Sequence, residues 1–339
     1  ILESKEWYTI PEWPGVFINS VDGSILIVYV DDLFLAALRE NLSRHWNDIE
    51  KDVEFKDPPV PVSRFLGAYY ALDPFNHRDP SACRSLEIDM CDYVRSMTER
   101  FMKESGLNLK GCDTPYLDDS IWSSPDDTPG RFAHDAASYA ATSLFVSRVA
   151  RPDLSCMTQR LCSCVSRWTV THDKALTRLM SYCVGAGRNV ALQGILSPLD
   201  STDLVLSVYS DADWSGDGAC TKSTTGVWVE LASASSGNTF PIAWSSSKQT
   251  STASATAEAE TVAASHAFRR EAVPIQILME HMIGVRLDIV HSIDNTQCLA
   301  ALEKGYSKKL RHLARTQRVC IGLLSESMKD PELQYRAIH

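Results

Sequence analysis

Two apolar runs separated by a pair of aspartates constrain the fold most strongly. The stretch "ILIVYVDDLFLAA", residues 25–37, sets Asp31 and Asp32 between hydrophobic segments that do not alternate with polar residues. Such runs are typical of strands that are covered on both faces. Because aspartate is common in tight turns, the pattern predicts a β-hairpin with both carboxylates at its tip.

The charge of this tip leaves two interpretations open. Adjacent carboxylates repel each other, and burying them is costly unless something neutralises them. An exposed turn avoids that cost, whereas a metal ion would offset it by holding both side chains. An ordinary surface turn and a metal-binding hairpin tip therefore both stay open at this point.

The composition is that of an ordinary globular chain. Its 339 residues suffice for two or three domains, and Asp31 and Asp32 interrupt the longest apolar run, so we expect no membrane span. The opening residues "ILESKEWYTI" lack both a methionine and a signal-peptide pattern. We expect a fragment of a longer protein.

The cysteines and the net charge bear on metal binding, redox compartment and nucleic-acid binding. The ten cysteines have no zinc-site spacing, which favours buried thiols in a reducing compartment. A net charge of −10 argues against coating nucleic acid with the whole surface. A local basic segment between residues 304 and 318 either binds phosphate or is a solvated helix face. Its cations, opposed only by Glu303, are Lys304, Lys308, Lys309, Arg311, Arg315 and Arg318.

We predict three consecutive parts. Residues 1–80 read as strands, with Gly67 in "RFLGAYYAL" marking a bulge or a close backbone approach. Residues 81–200 read as helical, with helices over 86–107, 135–149 and 154–184, Gly106 as a C-cap and an exposed loop over 118–130. Residues 201–339 show three strands, a long helix kinked at Pro274, a strand, two helices and a last strand, a mixed α/β pattern.

Three acidic residues of the last part lie where strands end and a helix starts. Asp211 is on the first strand, Glu260 is near the start of the long helix and Asp294 ends the fourth strand. Strand ends and helix starts meet at one edge of an α/β sheet, so these carboxylates can converge. Converging carboxylates need divalent cations, and oxygen ligands favour Mg²⁺ or Mn²⁺, with two ions forming a phosphodiester-cleaving clamp. The alternative is a set of ordinary surface acids.

Neighbouring acids complicate the assignment. Glu258 and Glu260 point to different sides of a helix. Glu260 shares its side with small residues that look packed, whereas Glu258 leads towards residues that look solvated. Asp211 and Asp213 face the same side of a strand, so the pattern does not decide between them. The packed stripe is Ala263, Ala264 and Ala267, and the solvated side is Ser265 and Arg269.

Taken together, these motifs resemble the C-terminal part of the Pol polyprotein of copia-type (Pseudoviridae) LTR retrotransposons. "YVDD" at residues 29–32 and "FLG" at 65–67 resemble the reverse-transcriptase palm, and "TP" at 114 and "RPDLS" at 151 are similar to the landmarks that follow it. The RNase H-like motifs then occur in order: "SDADWSGD" (210–217), "TKSTTGVWV" (221–229), "AWSSSKQ" (243–249), "TAEAET" (256–261) and "IDNTQCLAAL" (293–302).

This resemblance implies a palm remnant, a helical thumb or connection and an RNase H domain. It implies that Asp211, Glu260 and Asp294, rather than Asp213 or Glu258, hold two Mg²⁺ ions, or Mn²⁺, and that the RNA strand of an RNA–DNA hybrid is cut. It also implies an intracellular setting, in the cytoplasm within a virus-like particle or in the nucleus, without a small-molecule cofactor. The basic segment would contact the phosphates of the hybrid through Lys308, Lys309, Arg311, His312 and Arg315.

Two departures from the family pattern lead to further expectations. Leu313-Ala314 replaces the usual Ile-Asp. RNases H of this type use a fourth aspartate after the last strand, and the printed chain stops at His339. Three carboxylates carry a charge of −3 and two Mg²⁺ ions carry +4, so a site that holds both ions would have a net charge of +1. We therefore expect the second ion to bind weakly and cleavage to be impaired.

The resemblance also assigns a metal-binding role to the hairpin tip at residues 31–32. It implies that Asp31 and Asp32 belong to a polymerase metal site whose third aspartate lies on an earlier palm strand. That strand and the fingers would precede Ile1. We therefore expect a site that cannot polymerise alone and an unpaired, aggregation-prone edge on the strand "ILIVYV".

Two alternatives stay open. The chain could be a catalytically decayed fragment that only binds nucleic acid. It could also be another nuclease or an integrase core, although the order strand-Asp, helix-Glu, strand-Asp disfavours this because integrase-type cores place their glutamate last. Trp214, Trp228 and Trp244 are expected to cover the sheet rather than to stack on bases.

Overall fold

The computed structural model describes residues 6–74, 76, 78–79, 81–123, 126–214 and 220–339. In these ranges it has helices packed on three sheets, and the predicted α/β class is confirmed. The first five residues and positions 75, 77 and 80 of the first predicted part lie outside the described residues, as do Ser124 and Pro125 of the predicted loop.

The first sheet is an antiparallel meander closed by one helix. The predicted hairpin is confirmed, since β3 pairs with β4 and Tyr29 lies opposite Asp32. The expected unpaired edge on β3 is wrong, because β2 covers its other side. The elements are β1 (Trp7–Ile10), β2 (Trp13–Asn19), β3 (Ile25–Tyr29), β4 (Asp32–Ala36) and α1 (Arg39–Glu50).

The second sheet joins distant parts of the chain. Its strands are β5 (Arg64–Phe65), β6 (Ala68–Leu72), β7 (Arg84–Asp89) and, far along the chain, β8 (Leu192–Leu196). Leu66 and Gly67 both have positive φ angles, 48° and 78°, and form the two-residue turn of the β5–β6 hairpin. β6 and β7 pair across the predicted boundary at residue 80, and the three-part division stays a prediction.

The helical region contains five helices among the described residues: α2 (Cys91–Ser105), α3 (Asp119–Ser123), α4 (Ala136–Val149), α5 (Ser155–Cys162) and α6 (Val170–Val184). Gly106 ends α2 with a φ of 70°, as predicted. The predicted helix over 86–107 starts too early, because Leu86 and Ile88 pair with β8. The predicted helix over 154–184 is divided at Thr169, whose side chain caps α6.

The third sheet carries the mixed pattern expected for residues 201–339. Its order is β11-β10-β9-β12-β13, with β9 to β11 antiparallel and β12 parallel to both β9 and β13. The strands are β9 (Leu204–Asp213), β10 (Thr224–Ser233), β11 (Thr239–Lys248), β12 (Asp288–Ile293) and β13 (Tyr335–Ile338). The helices are α7 (Thr256–His266), α8 (Val273–Ile283), α9 (Thr296–Lys304), α10 (Leu313–Thr316) and α11 (Ile321–Lys329).

Proline 274 does not break the long helix of this part. A π-helical segment, Ala267–Ala272, joins α7 to α8, and Pro274 lies in the first turn of α8. Proline lacks a backbone N–H and crowds the preceding turn, so a wider turn just before it accommodates the ring. The helix therefore continues through the predicted kink.

The other two parts both contact the third part, the first at helix α8 and the second at strand β11. Trp13 donates from Nε1 to the carbonyl of Pro274 at 3.0 Å, and Trp244 donates to the carbonyl of Ser147 at 2.7 Å. β8 lies beside β11, where a Cβ on Gly194 would come within 2.5 Å of the Phe240 ring. Side-chain contacts thus join the third part to both of the others.

The tryptophans and cysteines follow the predictions in part. Trp228 and Trp244 stack on each other and are half-buried on the sheet, as expected, but Trp214 is 52% exposed. All ten cysteines are free thiols, but of the predicted buried thiols only Cys164, Cys183 and Cys298 are buried, five are half-buried, and Cys83 and Cys320 are exposed. Within the described ranges, every helix is too short or too polar to cross a membrane.

A buried histidine connects three strands of this sheet. His291 on β12 is fully buried, with one ring nitrogen 2.8 Å from Ser210 Oγ on β9 and the other 3.1 Å from the Tyr335 hydroxyl on β13. Burial lowers the pKa of His291 to about 4 from its ordinary 6.5. His291 is therefore neutral in the folded protein at pH values above about 4.

We predict that the third sheet loses stability as the pH falls from 6.5 to 4. In this window the unfolded chain binds a proton at position 291 and the folded chain does not, so the free energy of unfolding drops by about 3 kcal/mol. Hydrogen exchange of the β9 and β12 amides measures it. His291→Gln should flatten the dependence, whereas the exposed control His339→Gln should leave it unchanged. An identical slope in His291→Gln would contradict the assignment.

Candidate metal centre

The central strand β9 provides the first carboxylate. Asp211 and Asp213 share a strand face, but their surroundings differ. Asp213 accepts a hydrogen bond from the backbone N–H of Thr224 on β10, and burial raises its pKa. Asp211 is exposed and belongs to the acidic cluster described below. The structure thus separates two residues that the sequence pattern left equivalent. The end of this motif, residues 215–217, lies outside the described residues.

Parallel pairing of β12 with β9 places the second carboxylate, Asp294, beside Asp211. Ile293, the last residue of β12, lies opposite Ser210 of β9. The next residues of the two strands, Asp294 and Asp211, are therefore neighbours at the carboxyl ends of parallel strands. The chain then turns into α9, where the Asn295 side chain accepts hydrogen bonds from the backbone N–H groups of Gln297 and Cys298. This cap fixes where the strand stops.

Helix α7 contributes the third carboxylate, Glu260, from the buried side of the cluster. The residue is only 4% exposed, and its Oε2 atom is buried without a hydrogen-bond partner among the described residues. The predicted packed stripe is confirmed, because its three alanines are fully buried. The prediction of a solvated opposite side is wrong for Glu258 and Ser265, which are only 2% and 4% exposed, and right for Arg269, which is exposed. On the Glu258 side, His312 of the basic segment contacts α7.

The three carboxylates form a compact cluster. Asp211, Glu260 and Asp294 each offer an oxygen, and these atoms lie within 4.8 Å of one another. Burial, and then the charges of Asp211 and Asp294, raise the pKa of Glu260 to about 7. Without a cation the cluster is therefore strained by like charges. An all-oxygen donor set with one unpartnered buried oxygen fits a hard divalent cation such as Mg²⁺ or Mn²⁺.

The hairpin tip lacks a comparable cluster. Asp31 and Asp32 are exposed, and within the described residues no third acid, histidine or cysteine joins them. Val30 between β3 and Asp31 has a φ of 53°, a conformation that β-branched residues rarely adopt. A metal site at Asp31 and Asp32 stays a prediction.

The basic segment is not part of one continuous helix over residues 307–328, which was predicted as the second of the two helices that precede the last strand. Residues 308–312 form turns, α10 has four residues, and Arg318 at a φ of 57° precedes α11. Leu310 and Leu313 are buried and anchor the segment in the core of the third part. The anchoring turns four cations outwards, all of them exposed: Lys308, Lys309, Arg311 and Arg315.

A contact that the sequence analysis missed connects this segment to α7. His312 Nε2 lies 3.1 Å from Glu258 Oε1. Glu258 Oε2 also accepts hydrogen bonds from the backbone N–H and the hydroxyl of Ser254, at 2.7 and 2.6 Å. The sequence gives no standard capping signal here, because Ser254 and Glu258 are four residues apart, a capping box spaces its serine and glutamate by three, and the residue before α7 is Ala255.

Comparisons with known proteins identify similar polyproteins. The chain is 37% identical over 110 residues to the retrovirus-related Pol polyprotein from transposon RE1 of Arabidopsis thaliana, over 32% of this chain and 7% of that protein. The corresponding polyprotein from transposon RE2 is 38% identical over 110 residues, also over 32% of this chain and 7% of that protein. The polyprotein from transposon TNT 1-94 of Nicotiana tabacum is 27% identical over 251 residues, 71% of this chain and 17% of that protein.

These matches support the resemblance at the level of the polyprotein. The chain spans less than a fifth of the length of each of these relatives. No family model matches the chain, and no solved structure matches it. Similarity to retrotransposon Pol polyproteins is thus confirmed, whereas the reverse-transcriptase and RNase H assignments rest on motifs and geometry.

We predict that Glu260 destabilises the metal-free fold and that a divalent ion relieves this. Its pKa is raised on folding, so the penalty grows as the pH rises from 4.5 to 7 and is roughly 1–3 kcal/mol at pH 8. In EDTA at pH 8, Glu260→Gln should raise the melting temperature. Mg²⁺ should raise that of the unsubstituted chain but not that of the variant.

The matched control is Glu326→Gln, an exposed position on α11. It should change neither the melting temperature in EDTA nor the response to Mg²⁺. A chain whose melting temperature ignores both Mg²⁺ and Mn²⁺ would argue against a metal centre here.

Proposed function

We propose that this chain is a Pol polyprotein segment with an RNase H-type endoribonuclease centre that hydrolyses the RNA strand of RNA–DNA hybrids. The observation that carries the proposal is the cluster of Asp211, Glu260 and Asp294, whose oxygens lie within 4.8 Å of one another. Similarity to retrotransposon Pol polyproteins supports the same activity class.

The three side chains have distinct roles in this proposal. Bound divalent ions, two Mg²⁺ or Mn²⁺, supply the Lewis acidity that phosphodiester hydrolysis requires. Asp211 and Asp294 are exposed, so they hold the ions at the surface that a nucleic-acid backbone can reach. Glu260 holds them from the protein side, where burial strengthens its attraction to a cation.

Hybrid binding is proposed to rely on the basic segment. The chain carries a net charge of −10, so a polyanion is repelled on average and docks where cations are concentrated. Phosphate contacts position a nucleic acid without reading its sequence, and hybrids are recognised mainly by shape and 2′-hydroxyls. The proposed contacts are Lys308, Lys309, Arg311, His312 and Arg315, of which all but the half-exposed His312 are exposed.

A decayed fragment that only binds nucleic acid is the second candidate. One observation favours it: among the described residues the cluster has three acidic members, with no fourth acid, histidine or cysteine within reach. Both candidates predict hybrid binding, and cleavage separates them.

We predict that the chain cleaves a labelled RNA–DNA hybrid in Mg²⁺ or Mn²⁺ and that Asp294→Asn lowers the rate about a hundredfold or more, since it loses a ligand of the metal centre. Gel analysis of the labelled RNA measures the rate. Asp288→Asn, an exposed aspartate at the opposite end of β12, is the control and should retain activity. Hybrid binding without cleavage in any variant would favour the decayed fragment.

We also predict that Arg311→Ala weakens hybrid binding and lowers the slope of log K against log salt by about 1, because one phosphate contact is lost. Fluorescence anisotropy at several salt concentrations measures both quantities. Lys103→Ala on α2 removes an equal charge far along the chain and should leave the slope unchanged. Equal effects of the two substitutions would indicate a diffuse field rather than a basic docking segment.

A further inference from the structure

Two segments that are distant in sequence are tied together beside the acidic cluster. One is the lead-in to α7, residues 249–258, and the other is the basic segment around α10. Ser251 Oγ donates to the carbonyl of Thr316 at 2.8 Å, and Gln317 Nε2 donates to the carbonyl of Ser251 at 3.1 Å. Thr250 Oγ1 donates to Gln317 Oε1 at 3.3 Å. The contact between His312 and Glu258 adds a fourth tie.

Glu258 is the most deeply buried side chain in this set of ties. It is 2% exposed, and a carboxylate in such a position is costly unless hydrogen bonds satisfy it. Ser254, in its own lead-in, satisfies one oxygen, and His312 satisfies the other.

The position of Glu258 on α7 relates this tie to the proposed centre. Glu258 and Glu260 are two residues apart, roughly 3 Å along the helix axis, and point to different sides. A contact to Glu258 therefore fixes the basic segment to the rigid element that carries Glu260. Leu310 and Leu313 anchor the same segment in the core, so its exposed cations have a defined location.

We propose that Glu258 is a positioning residue for hybrid binding: through His312 it sets the location of the exposed cations relative to Asp211, Glu260 and Asp294. The inference rests on the proposed function and deepens it. Glu258 does not touch the substrate in this account, and it acts only through the segment that His312 belongs to.

The sign of the effect distinguishes this role from simple electrostatics. Removing a negative charge from a protein normally strengthens its binding to a polyanion. If Glu258 contributed only its charge, Glu258→Ala would bind hybrid more tightly. If it positions the cations, the same substitution weakens binding even though the net charge becomes less negative.

The experiment compares Glu258→Ala, His312→Ala and the double variant in the full chain. Hybrid affinity in EDTA and kcat and KM in Mg²⁺ are the readouts. Glu258→Ala should weaken binding and raise KM roughly three- to tenfold with kcat within about twofold, the range of coupling seen between residues in contact. The double variant should bind no worse than the weaker single variant.

Glu303→Ala is the matched control. Glu303 is an exposed acid beside the basic segment, and its substitution removes the same charge without touching His312. It should leave hybrid affinity unchanged or increase it. An intact Mg²⁺-dependent rise in melting temperature checks that the acidic cluster survives in each variant. If Glu258→Ala fails to fold, Glu258→Met, which keeps the size of the side chain but cannot pair with His312, tests the same tie by the same sign of the effect.

Several outcomes would overturn the inference. Binding by Glu258→Ala that equals or exceeds that of the unsubstituted chain refutes it, and so do effects that add fully in the double variant. Failure of the proposed function has a different signature, which is hybrid binding without cleavage in the unsubstituted chain, while the binding comparison still applies. An unsubstituted chain that binds no hybrid refutes both.

Discussion

The candidate site depends first on the register between β9 and β12. Ser210 of β9 lies opposite Ile293, and this pairing makes Asp211 and Asp294 neighbours. A slip of one residue would turn Asp211 to the other face of the sheet. The buried His291, hydrogen-bonded to Ser210 and to Tyr335, links the three strands one residue away from Asp211. A polar contact in the core thus holds the acidic cluster in register.

The same cluster works against the stability of the fold. Three carboxylates converge, one of them buried with an unpartnered oxygen, and no hydrogen bond in the described residues offsets that oxygen. The carboxylates stay together because the pairing of β9 with β12 and the packing of α7 on β9 hold them in place against their repulsion. Electrostatic strain among carboxylates that could together bind one kind of cation is typical of functional sites, whereas surfaces that serve only stability avoid it.

The sequence predicted the cluster better than its surroundings. Glu260 and Asp294 follow from a helix start and a strand end, which are local signals, whereas the pattern left Asp211 and Asp213 equivalent and only the resemblance chose between them. Glu258 was misjudged, because the sequence does not reveal its contact with His312, which is more than 50 residues away in the chain. The basic segment looks helical, yet Leu310 and Leu313 bind it to the core as turns. β3 was expected to lack a partner, and the preceding strand supplies one. Contacts between residues far apart in the chain decided the first two differences, and pairing with the preceding strand decided the third.

Charge placement connects the centre to its proposed substrate. The chain is acidic overall, so attraction to a nucleic acid must be local. Buried leucines hold the segment from the inside, its cations face solvent, and His312 contacts the buried Glu258 on the helix that also carries Glu260. A carboxylate beside cations would weaken phosphate binding if it were exposed. Buried and hydrogen-bonded, it instead serves as a fixed point, so that the location of the cations follows from the fold rather than from flexible side chains.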